Sequence, residues 1–206
     1  MSIAKNERGN VYSHGLGIGL SIAALVLLLL FDSGKSVFST FGILVYAISL
    51  LFLYTASTLY HAVNHEERKH FFRKIDHIGI YLLIAGTYTP VSLISLVEHG
   101  GWLLFWIVWS IAVFGTILKI FFTGKYERLS LLLYLIMGWL IVFDIRDVME
   151  IQSTLGLFLL GMGGFFYTVG TFFYVKEKIP YNHLIWHCFV LAGSISHFCF
   201  IFFDVI

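Results

Sequence analysis

Two histidines, His183 and His187, lie four residues apart in the stretch PYNHLIWH. On a helix such residues are about 40° apart on one face, so both imidazoles could contact the same ion. A third imidazole, such as that of His61, would complete a set of three histidines. That is the usual arrangement of a catalytic zinc site, in which the fourth position stays open. Zinc lowers the pKa of water in that position to about 7, which produces a nucleophile at neutral pH.

Asp76 and Ser57 could serve the same site. Asp76 could hold the water, take its proton, or orient a histidine. Ser57 is four residues before His61, on the same helix face, and could hydrogen-bond the water or a developing oxyanion. Simpler interpretations stay open, because histidines at a membrane surface often only extend toward water. Asp76 could also pair with Arg73 or Lys74, or cap a helix.

The chain that must position these residues has the composition of a membrane protein. Of its 206 residues 59% are hydrophobic and 12% are charged, with a mean hydropathy of +0.88. Soluble domains carry about 25% charged residues. A helix needs about 20 apolar residues to cross the hydrocarbon core, and the sequence contains seven such stretches. The first has no signal-peptide cleavage site, so we expect a retained helix.

The sequence therefore predicts an all-α, polytopic membrane protein with a single seven-helix transmembrane domain over residues 1–206. The predicted helices cover about 13–31, 38–60, 76–97, 101–121, 129–144, 154–175 and 183–203. The net charge of +1 does not indicate a nucleic-acid partner.

Lysine and arginine predict the orientation of the helices, because connections on the cytoplasmic side are rich in both. Eleven of these residues lie in the N-terminal tail and in the connections after helices two, four and six, whereas only Lys35 and Arg146 lie on the other side. This bias indicates a cytoplasmic N-terminus and an outer C-terminus. It also places the candidate site near the cytoplasmic face.

Other histidines are weaker candidates for a metal. His197 is ten residues beyond His187, so we expect it to hydrogen-bond a neighbouring helix. His77 points about 100° away from Asp76 and is a reserve candidate. His14 begins the first helix at the same membrane face.

Four motifs carry a family resemblance: ERGNVYSHGLG (7–17), STLYH (57–61), KIDHIGIYLLIAGTYTP (74–90) and HLIWH (183–187). Together they resemble the bacterial hemolysin III family, within the progestin and adipoQ receptor superfamily of seven-helix membrane proteins. The resemblance covers essentially the whole chain. It implies a multi-pass protein of the bacterial plasma (inner) membrane. The long cytoplasmic N-terminal region of the animal receptors is missing here, so the resemblance does not imply receptor signalling.

The resemblance also implies a zinc ion near the cytoplasmic face. Its ligands would be His61, His183 and His187, and Asp76 would bind through water. Ser57 matches the serine of the STLYH motif.

Several functions are consistent with these residues. A similarity to the alkaline ceramidases implies a zinc-dependent hydrolase of lipid amide or ester bonds, with Asp76 as base and membrane acyl lipids as partners. The alternative is a non-enzymatic membrane-fluidity or homeostasis protein, in which zinc links helices two and seven. A pore-forming cytolysin, which the family name suggests, is disfavoured because no amphipathic inserting hairpin is present. Transport of an ion or small solute is a further alternative.

Overall fold

A computed structural model describes residues 3–206, apart from the side chain at position 6. Throughout this part of the chain the regular structure is helical, and seven helical segments in it are long and apolar enough to cross a membrane. The predicted seven-helix membrane architecture is thereby confirmed. The α-helices are α1 (Arg8–Leu30), α2 (Ser39–Ala62), α3 (Glu66–Pro90), α4 (Gly101–Phe122), α5 (Glu127–Gly138), α6 (Ile145–Ile151), α7 (Thr154–Val175) and α8 (Asn182–Phe200).

Shorter helical turns complete these elements. A 3-10 turn at Lys5–Glu7 precedes α1, and π-helical turns at Val91–Ser95 and Ile201–Val205 extend α3 and α8. A second 3-10 turn at Leu140–Asp144 joins α5 to α6, so Glu127–Ile151 forms one candidate span. The fifth span is therefore an interrupted helix rather than the continuous one that the sequence suggests.

The start of α3 differs most from the sequence-based expectation. This helix begins at Glu66 rather than near 76. Two acidic residues, Glu66 and Glu67, occupy its first turn, where carboxylates are stabilised by the partial positive charge of a helix N-terminus. A charged segment can thus be helical without being apolar, and hydropathy alone does not locate its beginning.

The middle of the bundle is formed by α2 and α3, which pack on each other. α1 packs against α2 and α8, α4 packs against α3, and α7 packs against α8. Tyr46, Tyr54 and Tyr81 are fully buried in the middle. Large apolar side chains such as Leu30 and Leu103 are exposed on the outside, as expected of a surface that faces lipid.

This packing brings the C-terminal turn of α2 to the N-terminal turns of α1 and α8. The second half of α3 continues into the bundle from the same end, which is also where the loops 63–65 and 176–181 lie. Residues far apart in sequence therefore meet at one end of the molecule.

Candidate metal centre

Three histidines converge at this end of the bundle. His61 comes from the last turn of α2, and His183 and His187 come from the first two turns of α8. Each offers one ring nitrogen, and these three nitrogens lie within 4.8 Å of one another. His61 and His187 are buried, with 3% and 1% exposure, and His183 is half-buried. The structure thus brings together the three residues that the sequence analysis predicts as metal ligands.

The entry into α8 orients two of these rings. Tyr181 adopts a left-handed φ of 56°, a conformation that is uncommon for residues other than glycine. Asn182 then begins the helix and donates a hydrogen bond from Nδ2 to the carbonyl of Phe173, at 3.2 Å. This bond ties α8 to α7, and the i, i+4 spacing directs His183 and His187 to the same side.

The donor set suits zinc. Three neutral imidazole nitrogens are a common set of protein ligands for a zinc ion. The Nε2 atom of His61 is buried and has no hydrogen-bond partner within residues 3–206. Buried polar atoms almost always have a partner, so this atom fits a role as a ligand.

Asp76 and Ser57 line a small cavity beside the histidines. The cavity has a volume of about 30 Å³, and His183 and His187 line it as well. A water molecule needs about 10–15 Å³, so the cavity can hold water next to the cluster. Ser57 is fully buried and Asp76 is 8% exposed.

The structure argues against the simpler roles of Asp76. α3 begins at Glu66, so Asp76 lies well inside the helix and does not cap it. Arg73 approaches Glu127 instead, at 3.5 Å. Asp76 is therefore a buried carboxylate that faces the same space as the histidine cluster.

Glu7 is a site residue that sequence reasoning missed. Its Oε2 accepts hydrogen bonds from Nδ1 of His61 at 2.7 Å and from Nδ2 of Asn10 at 2.9 Å. Its Oε1 accepts one from Nζ of Lys69 at 2.9 Å. The bond from His61, together with those from Lys69 and Asn10, holds the pKa of Glu7 well below its usual range, although burial opposes this. The available signal was its place as first residue of the ERGNVYSHGLG motif.

Two more residues of α1 reach the cluster. The hydroxyl of Ser13 donates to the carbonyl of Asn10 at 3.0 Å, and its oxygen lies 3.2 Å from Nδ1 of His187. His14 lines the small cavity and is 3% exposed. The beginning of α1 is thus part of the site.

The remaining candidate histidines have other contacts. Nε2 of His197 lies 3.3 Å from the carbonyl of Leu160 in α7, so the expected interhelical hydrogen bond is confirmed. His77 also lines the small cavity, but its Nδ1 lies 3.6 Å from Glu127 Oε2. Neither residue belongs to the group of three nitrogens.

Larger spaces adjoin the site on both sides. A pocket of about 500 Å³ opens between the N-terminal turn and the loop before α8, and His61 and His183 line it. On the other side, cavities of about 100 and 310 Å³ lie between α3, α5, α7 and α8, lined mainly by apolar residues. The smaller of these shares Leu53, Trp186 and Val190 with the cavity of Asp76. The polar site therefore borders an apolar space.

Comparison with known proteins agrees with the motifs. Residues 2–198 match the family model described as Haemolysin-III related. The chain is 43% identical over 207 residues to the Hemolysin-3 homolog of Bacillus subtilis (strain 168). This alignment covers 100% of this chain and 97% of that protein. It is 44% identical over 201 residues to Hemolysin-3 of Bacillus cereus, and this alignment covers 97% of this chain and 92% of that protein. It is also 31% identical over 164 residues to the human Monocyte to macrophage differentiation factor, and this alignment covers 75% of this chain and 66% of that protein.

Proposed function

This chain belongs to the Haemolysin-III-related family, and we propose that it is a zinc-dependent hydrolase that cleaves an amide or ester bond of membrane acyl lipids. The observation that carries the proposal is a juxtaposition. Three imidazoles converge beside one small cavity, which two of them line together with a buried carboxylate and a buried hydroxyl, and an apolar space borders that cavity. These are the components that hydrolysis of a lipid amide or ester requires.

His61, His183 and His187 would hold the zinc ion. Zinc bound there supplies Lewis-acid chemistry, which polarises a carbonyl group and makes water a stronger acid. Asp76 takes a proton from the attacking water and later delivers it to the leaving amine or alcohol. Ser57 donates a hydrogen bond to the oxyanion that develops on the carbonyl oxygen. A carbon–oxygen bond forms, and the carbon–nitrogen or carbon–oxygen bond to the leaving group breaks.

The apolar cavities would hold the acyl chain. Trp186 lies between the two histidines on α8 and Val190 follows them, and both residues line the polar cavity and the smaller apolar one. A lipid whose carbonyl lies beside Asp76 can therefore extend its chain between α3, α5, α7 and α8. The polar groups that reach this space, such as Thr87 and Trp139, interrupt an otherwise apolar lining.

We place the metal centre near the cytoplasmic face of the bacterial plasma membrane. The support is the charge bias, since eleven lysines and arginines are assigned to the end that carries the histidines, against two for the other end.

A non-enzymatic role in membrane homeostasis is the second candidate. α2 packs chiefly on α1 and α3, whereas α8 packs chiefly on α7 and α1. An ion held by His61, His183 and His187 would join α2 to α8, and this favours zinc as a structural link. The name Hemolysin-3 of the Bacillus cereus relative is not by itself support for lysis by this chain.

The test is hydrolysis by purified protein in lipid nanodiscs, with fluorogenic ceramides and acyl esters as substrates. We expect product release from the zinc-loaded protein, loss of release after chelation, and loss in His187→Ala. The matched control is His65→Ala, which removes an exposed histidine at the same end of the bundle and should not change the rate. Equal release from the wild type and His187→Ala would exclude the proposed site. Absence of hydrolysis combined with zinc-dependent thermal stabilisation would favour the structural role.

A further inference from the structure

Two residues at the start of the first span contact the histidine cluster from its outer side. We propose that Glu7 and Ser13 are positioning residues that fix His61 and His187 in the tautomer whose Nε2 faces the metal ion. The inference rests on the proposed metal centre, but it does not depend on hydrolysis.

The contact of Glu7 with His61 determines where the imidazole carries its proton. An ionised carboxylate only accepts hydrogen bonds, and Glu7 accepts them from Nδ1 of His61, from Asn10 and from Lys69. The proton of a neutral His61 ring is therefore on Nδ1, and the lone pair is on Nε2. Nε2 is the buried atom that has no partner in the described part of the chain.

The contact of Ser13 with His187 leads independently to the same tautomer. A serine hydroxyl has a single proton, and Ser13 donates it to the carbonyl of Asn10. Its oxygen must then accept the hydrogen bond from Nδ1 of His187. The lone pair of His187 is thereby also on Nε2. Such a partner behind a ligand fixes ring orientation and raises ligand basicity.

Lys69 extends this arrangement to a third helix. Its ammonium group pairs with Glu7 Oε1 and lies 5.3 Å from the ring centre of Tyr60, the residue before His61. The turn Lys5–Glu7 is thereby linked to α3 as well as to α2. The position of Glu7, and through it the orientation of His61, depends on the packing of α1, α2 and α3 together.

The experiment measures zinc affinity by competition with a chelating dye, together with the visible spectrum of the Co²⁺-substituted protein. We expect Glu7→Ala to bind zinc about 10–100-fold more weakly than the wild type, and Ser13→Ala about tenfold more weakly. The Co²⁺ spectrum should change in both variants, because a ligand that has lost its partner is free to rotate. Glu67→Ala removes an exposed carboxylate at the same end and is the control, with wild-type affinity and spectrum expected.

The unfolding midpoint of the chelated proteins separates positioning from a merely structural role. Reduced affinity with a wild-type midpoint supports the inference, and wild-type affinity in Glu7→Ala overturns it. If Glu7→Ala lowers the midpoint, Glu7→Leu is tested instead, because leucine is larger than alanine and offers no acceptor to Nδ1 of His61: weaker binding supports the inference, whereas wild-type affinity overturns it. A wild-type protein that binds no zinc would overturn both proposals. A wild-type protein whose zinc affinity depends on Glu7, but which does not hydrolyse lipids, would exclude only the hydrolase.

Discussion

The ring of His14 stacks face to face on that of His187, with centroids 3.5 Å apart and planes 10° apart. The edge of Tyr54 packs against His14 from another side, at 5.0 Å. Neither nitrogen of His14 has a hydrogen-bond partner within residues 3–206. Burying an unpartnered polar group costs about 1–3 kcal/mol. His14 is therefore unfavourable for stability, and residues of that kind are typical of functional sites.

We expect His14→Phe to be more stable than the wild type and less active. Phenylalanine keeps a flat ring against His187 and removes both unpartnered nitrogens, so the chelated protein should gain about 1 kcal/mol or more. Hydrolysis should fall by about 10–100-fold, because His14 lines the cavity of Asp76. Thermal unfolding and the fluorogenic assay measure the two effects. His197→Phe is the control for stability, since it loses a hydrogen bond and should unfold earlier. A less stable His14→Phe with normal activity would contradict this prediction.

Asp76→Asn should separate catalysis from metal binding. Asparagine retains the shape of the side chain but cannot take a proton from water, so hydrolysis should fall by about 10²–10⁴-fold. Zinc content should stay near that of the wild type, because the three imidazoles are unchanged. Metal analysis and the fluorogenic assay are the measurements, with Asp147→Asn at the far end of the bundle as control. If a zinc-dependent activity survives in Asp76→Asn, Asp76 is not the base.

Gly164→Leu tests whether the apolar cavities hold the acyl chain. Gly164 lines both of them, close to the ring of Trp139, so a leucine side chain would fill part of the proposed acyl-chain site. We expect a loss of activity that is several-fold greater for long-chain than for short-chain substrates, at normal zinc content. Gly19→Leu makes the same change on an exposed face of α1 with open space around it. A uniform loss across chain lengths would argue against this binding mode.

The spans and the metal-site histidines were predictable for physical reasons. A membrane span requires only about 20 consecutive apolar residues, and a hydropathy profile of the sequence identifies such stretches. His183 and His187 follow from helical spacing, and the alternating direction of successive helices places His61 at the same end of the bundle. The family resemblance, rather than the spacing, implied His61 as the third ligand. The orientation of the termini remains a prediction from charge.

Glu7 was less accessible to sequence reasoning, because its partner His61 is 54 residues away. A charged residue ahead of an apolar stretch resembles a solvated tail, and its role depends on how α1 packs against α2. Lys119 shows the same limitation. Lys119 is one of the eleven lysines and arginines assigned to the cytoplasmic side, in the connection after helix four. In the structure it lies inside α4 and is only 1% exposed.

The buried Lys119 forms an ion pair with the half-buried Glu127, and disruption of this pair should destabilise the protein. Nζ of Lys119 lies 2.6 Å from Oε2 of Glu127. Glu127→Gln leaves the lysine without a counter-charge and with Arg73 nearby, so we expect a loss of about 1–3 kcal/mol. The double variant Lys119→Met/Glu127→Gln should lose less than this single variant, because no charge then remains unpaired. Denaturation of all variants in one detergent measures the coupling, and exposed Lys125→Met is the control. Additive losses would show that the two residues do not interact.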